Sequence, residues 1–234
     1  MKFCNINFNA LNKTDLLSFQ ENETKILITA NAQIITLINK LDWLLEFSNE
    51  NYVSFDGTIP FLVARIYLRK WSFQRISGSD LMFELEEVLI SANYRIFLLG
   101  GTFQGNKNSI EKYKSKGIIA SGLCPTKENY PISNKSSKIY LKEISDFKPD
   151  ILLVGFGAPK QEKWICDNII DLKRISPKLI VGIGGAFEMY GDVIRKSPKF
   201  ISMIGLESIW RLFQQPNFER ISRIIKSFHF FKYI

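Results

Sequence analysis

The chain has one histidine, His229, and three cysteines, Cys4, Cys124 and Cys166, with no C-x-x-C pair among them. A lone imidazole inside a C-terminal amphipathic segment argues against a Ser-His-Asp triad and against a poly-histidine metal site. Odd, widely spaced thiols indicate neither a disulfide framework nor a zinc site, and they fit a reducing compartment. No G-x-x-x-x-G-K-[ST] stretch occurs, which argues against a P-loop kinase or NTPase. Asp-x-Asp is also missing, so no obvious carboxylate pair is offered to Mg²⁺ on a nucleotide diphosphate. No apolar run approaches the ~20 residues needed to span a bilayer, and the opening stretch "MKFCNINFNALNKTD" lacks the continuous apolar core of a secretory signal. The expectation is a cytoplasmic protein whose membrane contact, if it has one, is peripheral. Internal repeats and low-complexity linkers are absent too.

What is present is apolar volume and positive charge. Hydrophobic residues make up 46% of 234 and aromatics 13%, with 19 Phe, enough to build a sizeable core and to argue against disorder. A formal charge of +8 and a pI near 9.3 imply an acidic partner. Nucleic acid, anionic lipid and a phosphorylated substrate all satisfy that requirement.

Strand-like and helix-like segments alternate along the chain. "KILITA" (25–30) and "YVSFD" (52–56) read as strands around one helix, "AQIITLINKLDWLLEF". Two further helices follow, "TIPFLVARIYLRKW" and "GSDLMFELEEVLISA", the second with Ser77 or Ser79 as its N-cap. "YRIFLLGG", "GIIASG", "DILLVGFG" and "KLIVGIGG" are strands that end at glycine, with helical stretches between them. This alternation predicts an α/β fold, a Rossmann-like, mostly parallel sheet with helices on both faces. The α/β core is expected over 1–199. Residues 200–234 read as an appendage of two basic helices, "ISMIGLESIWRLFQQ" and "ERISRIIKSFHFF", separated at Pro216.

In open α/β sheets ligands bind at the carboxyl edge of the strands, so the strand ends carry the candidate site. In "ITAN", Thr29 and Asn31 offer short hydrogen-bonding groups, or simply cap the next helix. In "FDG", Asp56 closes a strand before Gly57 and is either a general base or an acceptor of turn N–H groups. "QRISGSD" holds Arg75, which either grips a phosphate or remains a solvated surface charge. "GFGAPKQEKW" and "VGIGGAFE" supply Gly155, Gly157, Gly182, Gly184 and Gly185, which allow a ligand close to the backbone. Lys160 and Phe187 stand where a dinucleotide fingerprint needs its third glycine.

Taken in order, Thr29-Ala-Asn31, Phe55-Asp56-Gly57, Arg75-Ile-Ser-Gly78-Ser-Asp80-Leu81, Leu99-Gly100-Gly101, Gly155-Phe-Gly157-Ala-Pro159-Lys-Gln161-Glu162-Lys-Trp164 and Val181-Gly182-Ile-Gly184-Gly185-Ala-Phe187 resemble the WecG/TagA/CpsF family of bacterial glycosyltransferases. The resemblance runs from about residue 25 to about residue 215. It implies an inverting, metal-independent transfer of an N-acetylmannosamine-type sugar from a UDP-sugar donor to a lipid-diphosphate-linked acceptor, in cell-surface polysaccharide or teichoic acid synthesis. No cofactor is implied. By the same resemblance Asp56 is the catalytic base, with Thr29 and Arg75 beside it in the mechanism. Asn31, Gly100, Gly155, Gly157, Gln161, Gly182, Gly184, Gly185 and Glu188 belong to the UDP-sugar site, and Arg211, Arg220 and Arg223 belong to the diphosphate of the acceptor. The chain departs from the family pattern at Glu188, where Asp is usual, and at Ser208, where Trp is common. After Pro216 the first arginines are Arg220 and Arg223, further on than the family places them.

In the last helix Ile221, Ile224, Ile225 and Phe228 form one stripe, with Arg220, Arg223 and Lys226 to its other side. Such a helix lies in the interface of an anionic membrane or packs on the main domain, and both remain open. With a lipid-linked acceptor, the expected location is the inner face of the cell membrane, and a homo-oligomer is compatible with the sequence. A nucleotide-dependent oxidoreductase is the rival enzyme, disfavoured by the missing third glycines. A nucleic-acid-binding protein is disfavoured because no compact Lys/Arg block with interleaved aromatics occurs in the α/β region.

Overall fold

Each apolar run ending at glycine forms a strand. A computed structural model describes residues 1–9, 12–20, 23–125, 130–198, 200–201, 206–214, 216 and 218–234. Strands β3 (Lys25–Ala30), β4 (Tyr52–Phe55), β5 (Arg95–Gly100), β6 (Ile119–Leu123), β7 (Ile151–Gly155) and β8 (Leu179–Gly182) form one six-stranded parallel sheet in the order β4-β3-β8-β7-β5-β6. β3, β7 and β8 are buried at every position, as uninterrupted aliphatic runs require when both faces of a parallel sheet are covered. The helices include α1 (Lys13–Leu17), α2 (Ala32–Ile38), α3 (Asp42–Asn49), α4 (Thr58–Leu68), α5 (Gly78–Ser91), α6 (Phe103–Ser115), α7 (Asn134–Phe147), α8 (Lys160–Asp167), α9 (Ile169–Ile175), α10 (Ala186–Tyr190), α11 (Glu207–Gln214) and α12 (Phe218–Ser227). A 3-10 helix, Phe228–Tyr233, closes the chain. The expected α/β sheet with helices around it is therefore present.

Contacts divide the chain into two units. One comprises Met1–Asp15, Ile28–Ser77 and Ile194–Ile234, the other Leu16–Leu27 and Gly78–Val193. In the second unit, register brings the strand ends level: Gly100 lies opposite Gly155, and Val154 opposite Gly182. The connection from β5 through α6 leads outward to β6, whereas that from β7 through α8 and α9 leads the other way to β8. The carboxyl ends of β5 and β7 thus flank a topological switch point, the place where such sheets bind ligands.

In the first unit, two local features differ from expectation. The segment read as one helix from 32 to 47 is two, α2 and α3. Asn39 ends α2 by turning its amide Nδ2 to Ile35 O and to Cys4 O, 2.9 Å each, and Leu41 is extended. Ahead of the sheet, β1 (Lys2–Phe3) and β2 (Ile6–Asn7) form an antiparallel hairpin. Its two turn residues, Cys4 and Asn5, both have positive φ (47° and 62°), as a tight two-residue hairpin turn demands. The Cys4 thiol is buried there, and burial pushes its pKa up to about 12. At the other end of the chain, α12 and the 3-10 helix pack against α2, with Phe230 buried. Of the apolar stripe, Ile221, Ile225 and Phe228 remain exposed and Ile224 is half-buried.

Candidate active site

The chain turns on glycine at the ends of β5, β7 and β8, and these glycines are of two kinds. A Cβ on Gly100 would lie 2.8 Å from the Phe156 ring, on Gly101 2.6 Å and on Gly155 2.7 Å from the Phe187 ring, and on Gly182 2.7 Å from the amide of Gln161. Here glycine makes room for neighbouring side chains. At Gly157 (φ +78°) and Gly184 (φ +55°) nothing among the described residues stands within 4 Å of the Cβ position. Those two turns present bare backbone in a conformation that favours glycine, the arrangement a closely approaching ligand needs. Gly185 beside them is exposed, and a Cβ there would sit 3.6 Å from Glu188 Oε2.

Gln161 ties the two bare turns together. Buried in the first turn of α8, its Oε1 accepts from the backbone N–H of Gly157 (3.1 Å) and of Gly184 (2.9 Å). Two backbone donors fix which end of the amide is oxygen, so Nε2 faces Glu162 and donates to its Oε1 at 2.8 Å. Glu162 is itself buried, and its Oε2 has no hydrogen-bond partner among the described residues. Desolvation pushes this carboxyl up to about 7, against the lowering effect of the bonds from Gln161 and from its own backbone. The sequence motif contains Glu162, but a glutamate in the first turn of a helix reads as a dipole partner facing water.

Other supports are equally local. Asn106, buried on α6, donates to Leu98 O (3.0 Å) and Gly100 O (2.8 Å), satisfying carbonyls at the end of β5. Gly101 N donates to Gly155 O at 2.9 Å, locking the β5 and β7 turns together. Phe187, wholly buried, fills the space over Gly101 and Gly155 and has its carbonyl held by Ser109 Oγ at 3.0 Å. The Trp164 ring packs edge-on to Phe156, and its Nε1 donates to Ser137 Oγ at 3.2 Å. Nothing in the sequence marks Asn106 or Ser109, because their partners lie on other elements.

The first unit holds the other candidate residues at the ends of β3 and β4. Asn31 caps α2: its Oδ1 accepts from Gln33 N (3.0 Å) and Ile34 N (3.1 Å). Thr29 is buried in β3. Asp56 follows β4, half-buried, with its backbone N–H bonded to Ala30 O at 3.1 Å. Arg75 is brought to the same point by a parallel bridge with Phe55, and its Nη1 donates to Asp56 O at 2.8 Å. A carboxylate and a guanidinium thus share the end of one strand. Gly57, next along, leaves 3.2 Å from its Cβ position to the Pro60 ring, where α4 begins.

Arg211 lies in α11, and Arg220 and Arg223 in α12, but their side chains fall outside the described residues. α11 is fastened within its unit by Gln214, which accepts from Arg195 N at 2.7 Å and donates to Arg195 O at 2.8 Å.

The sequence profile of the Glycosyl transferase WecG/TagA/CpsF family matches residues 1–233. Among curated proteins, an N-acetylglucosaminyldiphosphoundecaprenol N-acetyl-beta-D-mannosaminyltransferase of Staphylococcus aureus strain MRSA252 is 26% identical over 215 residues, covering 92% of this chain and 80% of that protein. The protein of the same name from strain MW2 is 26% identical over 224 residues, with the same coverage. With a match spanning nearly the whole chain, on a sheet whose glycine turns and Asp56–Arg75 strand end carry the motif residues, the chain belongs to the WecG/TagA/CpsF family and is a glycosyltransferase.

Proposed function

We propose that the chain moves an N-acetylmannosamine-type sugar from UDP to a lipid-diphosphate-linked acceptor, with inversion and without a metal ion, in cell-surface polysaccharide or teichoic acid synthesis. The observation that carries this reading is the pair of bare glycine turns, Gly157 and Gly184, braced by Gln161 at the switch-point side of the sheet. A nucleotide diphosphate approaches such turns without meeting a side chain. The names of the two Staphylococcus aureus relatives support the choice of sugar and of acceptor.

The chemistry is a single displacement. Asp56 takes the proton of the acceptor hydroxyl as its oxygen forms a bond to the anomeric carbon, and the bond from that carbon to the UDP oxygen breaks. UDP departs with extra negative charge, which calls for cationic and N–H donors. Arg75 brings its charge to the end of β4 beside Asp56, and Arg211, Arg220 and Arg223 are assigned to the acceptor diphosphate. In this reading the developing charge is met by protein groups in place of a metal ion.

The proposal includes a peripheral location at the inner face of the cell membrane, which a lipid-linked acceptor supports. Among the described residues no helix is long and apolar enough to cross a membrane, and the exposed Ile221, Ile225 and Phe228 give α12 and the 3-10 helix an apolar side to insert. Calorimetric titration with UDP, NADH and a short oligonucleotide tests the reading. Binding of UDP alone is expected; binding of NADH or of the oligonucleotide in its place would overturn it.

A further inference from the structure

Helix α4 is apolar on two sides, and only one of them is covered. Pro60, Phe61 and Ala64 face inward and are buried. On the opposite side Ile59, Leu62 and Ile66 are exposed, Ile66 by 70%; Tyr67, two turns above Pro60 at the edge of the buried side, is exposed as well, and Trp71 just beyond the helix is 64% exposed. A helix apolar all round is ordinarily buried all round, and a contiguous exposed apolar face marks an interaction site. The face is held firmly. Tyr67 packs edge-on to Phe3 at 5.9 Å. Arg65 donates to Trp71 O (3.1 Å) and Phe73 O (3.2 Å), with its guanidinium over the Phe61 ring at 4.4 Å. The Trp71 segment is thereby strapped to α4.

Charge identifies the occupant. From Gly57 to Arg75 the chain has four cations, Arg65, Arg69, Lys70 and Arg75, and no acidic residue, although the whole chain carries 23. Arg69 and Lys70 are exposed at the end of the helix, next to Trp71. Aliphatic residues flanked by Trp, Tyr, Arg and Lys are the composition of a segment lying in a lipid interface. A second copy of the chain fits worse. A two-fold contact sets the patch against itself and brings cations to cations with no carboxylate in the segment to answer them.

We propose that this face of α4, with Trp71, docks on an anionic phospholipid bilayer, its aliphatic side chains at the acyl boundary and Arg69 and Lys70 among the headgroup phosphates. It is a membrane contact separate from the C-terminal helices. Because α4 starts at Thr58, two residues after Asp56, docking holds the end of β4 at the membrane plane, where a lipid-diphosphate acceptor presents its sugar. That last consequence rests on the transferase reading; the docking itself does not.

The test is co-sedimentation of the full chain with phosphatidylcholine vesicles, with and without phosphatidylglycerol. The wild type is expected to bind only the vesicles containing phosphatidylglycerol. Leu62→Glu combined with Ile66→Glu should lower that binding by about tenfold or more, since two exposed side chains that enter the bilayer become charged. Arg69→Gln with Lys70→Gln should lower it by about thirtyfold at low salt, the effect of two lost cations near an anionic surface. Thermal melting and UDP binding of both variants should match the wild type. Vesicle binding unchanged in both variants, or absent in the wild type, would overturn the proposal. So would a wild-type dimer that Leu62→Glu/Ile66→Glu dissociates while vesicle binding persists, which would give the face to a second copy. If UDP fails to bind the wild type, the transferase reading falls while the vesicle result still decides this one.

Discussion

Raising the pH from about 4.5 to about 7 should cost the protein about 3 kcal/mol of stability through one side chain, Glu162. The carboxyl is buried, one of its oxygens has no partner among the described residues, and its pKa stands at about 7 against an ordinary 4.5. Each unit of difference between the folded and unfolded values corresponds to about 1.4 kcal/mol, which sets the size of the effect. The sign follows from proton counting. Between about pH 4.5 and about pH 7 the folded chain keeps a proton on Glu162 that the unfolded chain has released, so stability falls as pH rises across that window and levels off above it. Urea denaturation at about pH 4.5, about pH 6 and about pH 8 measures the slope. Other groups titrate as well, so the informative quantity is the difference from Glu162→Gln, which keeps an acceptor for Gln161 Nε2 and cannot ionise. The variant should lose about 3 kcal/mol less than the wild type over the range. Parallel profiles for the two proteins would refute the reasoning and show that Glu162 is solvated or paired.

Gly182→Ala should destabilise the protein by about 1–3 kcal/mol and weaken UDP binding, because its Cβ would stand 2.7 Å from the Gln161 amide and break the brace. Gly184→Ala, with open space and only the strain of a left-handed backbone, should cost about 1 kcal/mol in the same denaturation experiment; the reverse order would contradict the division of the glycines into two kinds. Transfer should run equally well in EDTA and in Mg²⁺, and activity lost to chelator and restored by a divalent ion would return the leaving diphosphate to a metal. Phe228→Glu should weaken association with anionic vesicles, whereas Arg211→Ala should impair transfer even to a water-soluble acceptor; equal effects of both variants in both assays would merge the two roles.

The sheet was legible because its strands are short apolar runs, four of them read as ending at glycine, a signal that needs no knowledge of partners. The same holds for Asn31, whose capping bonds reach only two and three residues ahead. Legibility fails where a side chain answers to a distant element. Asn39 breaks the segment read as one helix by bonding Cys4, 35 residues away, and helical periodicity runs straight through it. Within the site, the glycines looked alike in sequence. The contrast between Gly182, filled by Gln161, and Gly184, open, depends on α8 crossing to the end of β8. Gln161 bonds a glycine 23 residues ahead, and the burial of Glu162 beside it likewise depends on distant elements rather than on its own helix. The exposed face of α4 escaped notice for the opposite reason: its apolar residues look like core until the structure leaves one side uncovered.

The most direct measurement is mass spectrometry of the product formed from UDP-N-acetylmannosamine and a short-chain lipid-diphosphate N-acetylglucosamine acceptor, with wild type and Asp56→Asn side by side. The wild type should add a single N-acetylhexosamine to the acceptor, and Asp56→Asn, while still binding UDP, should do so about a hundredfold or more slowly, the usual scale for a lost general base. No product from the wild type with any UDP-sugar and lipid-diphosphate acceptor, or equal rates for the two proteins, would contradict the account.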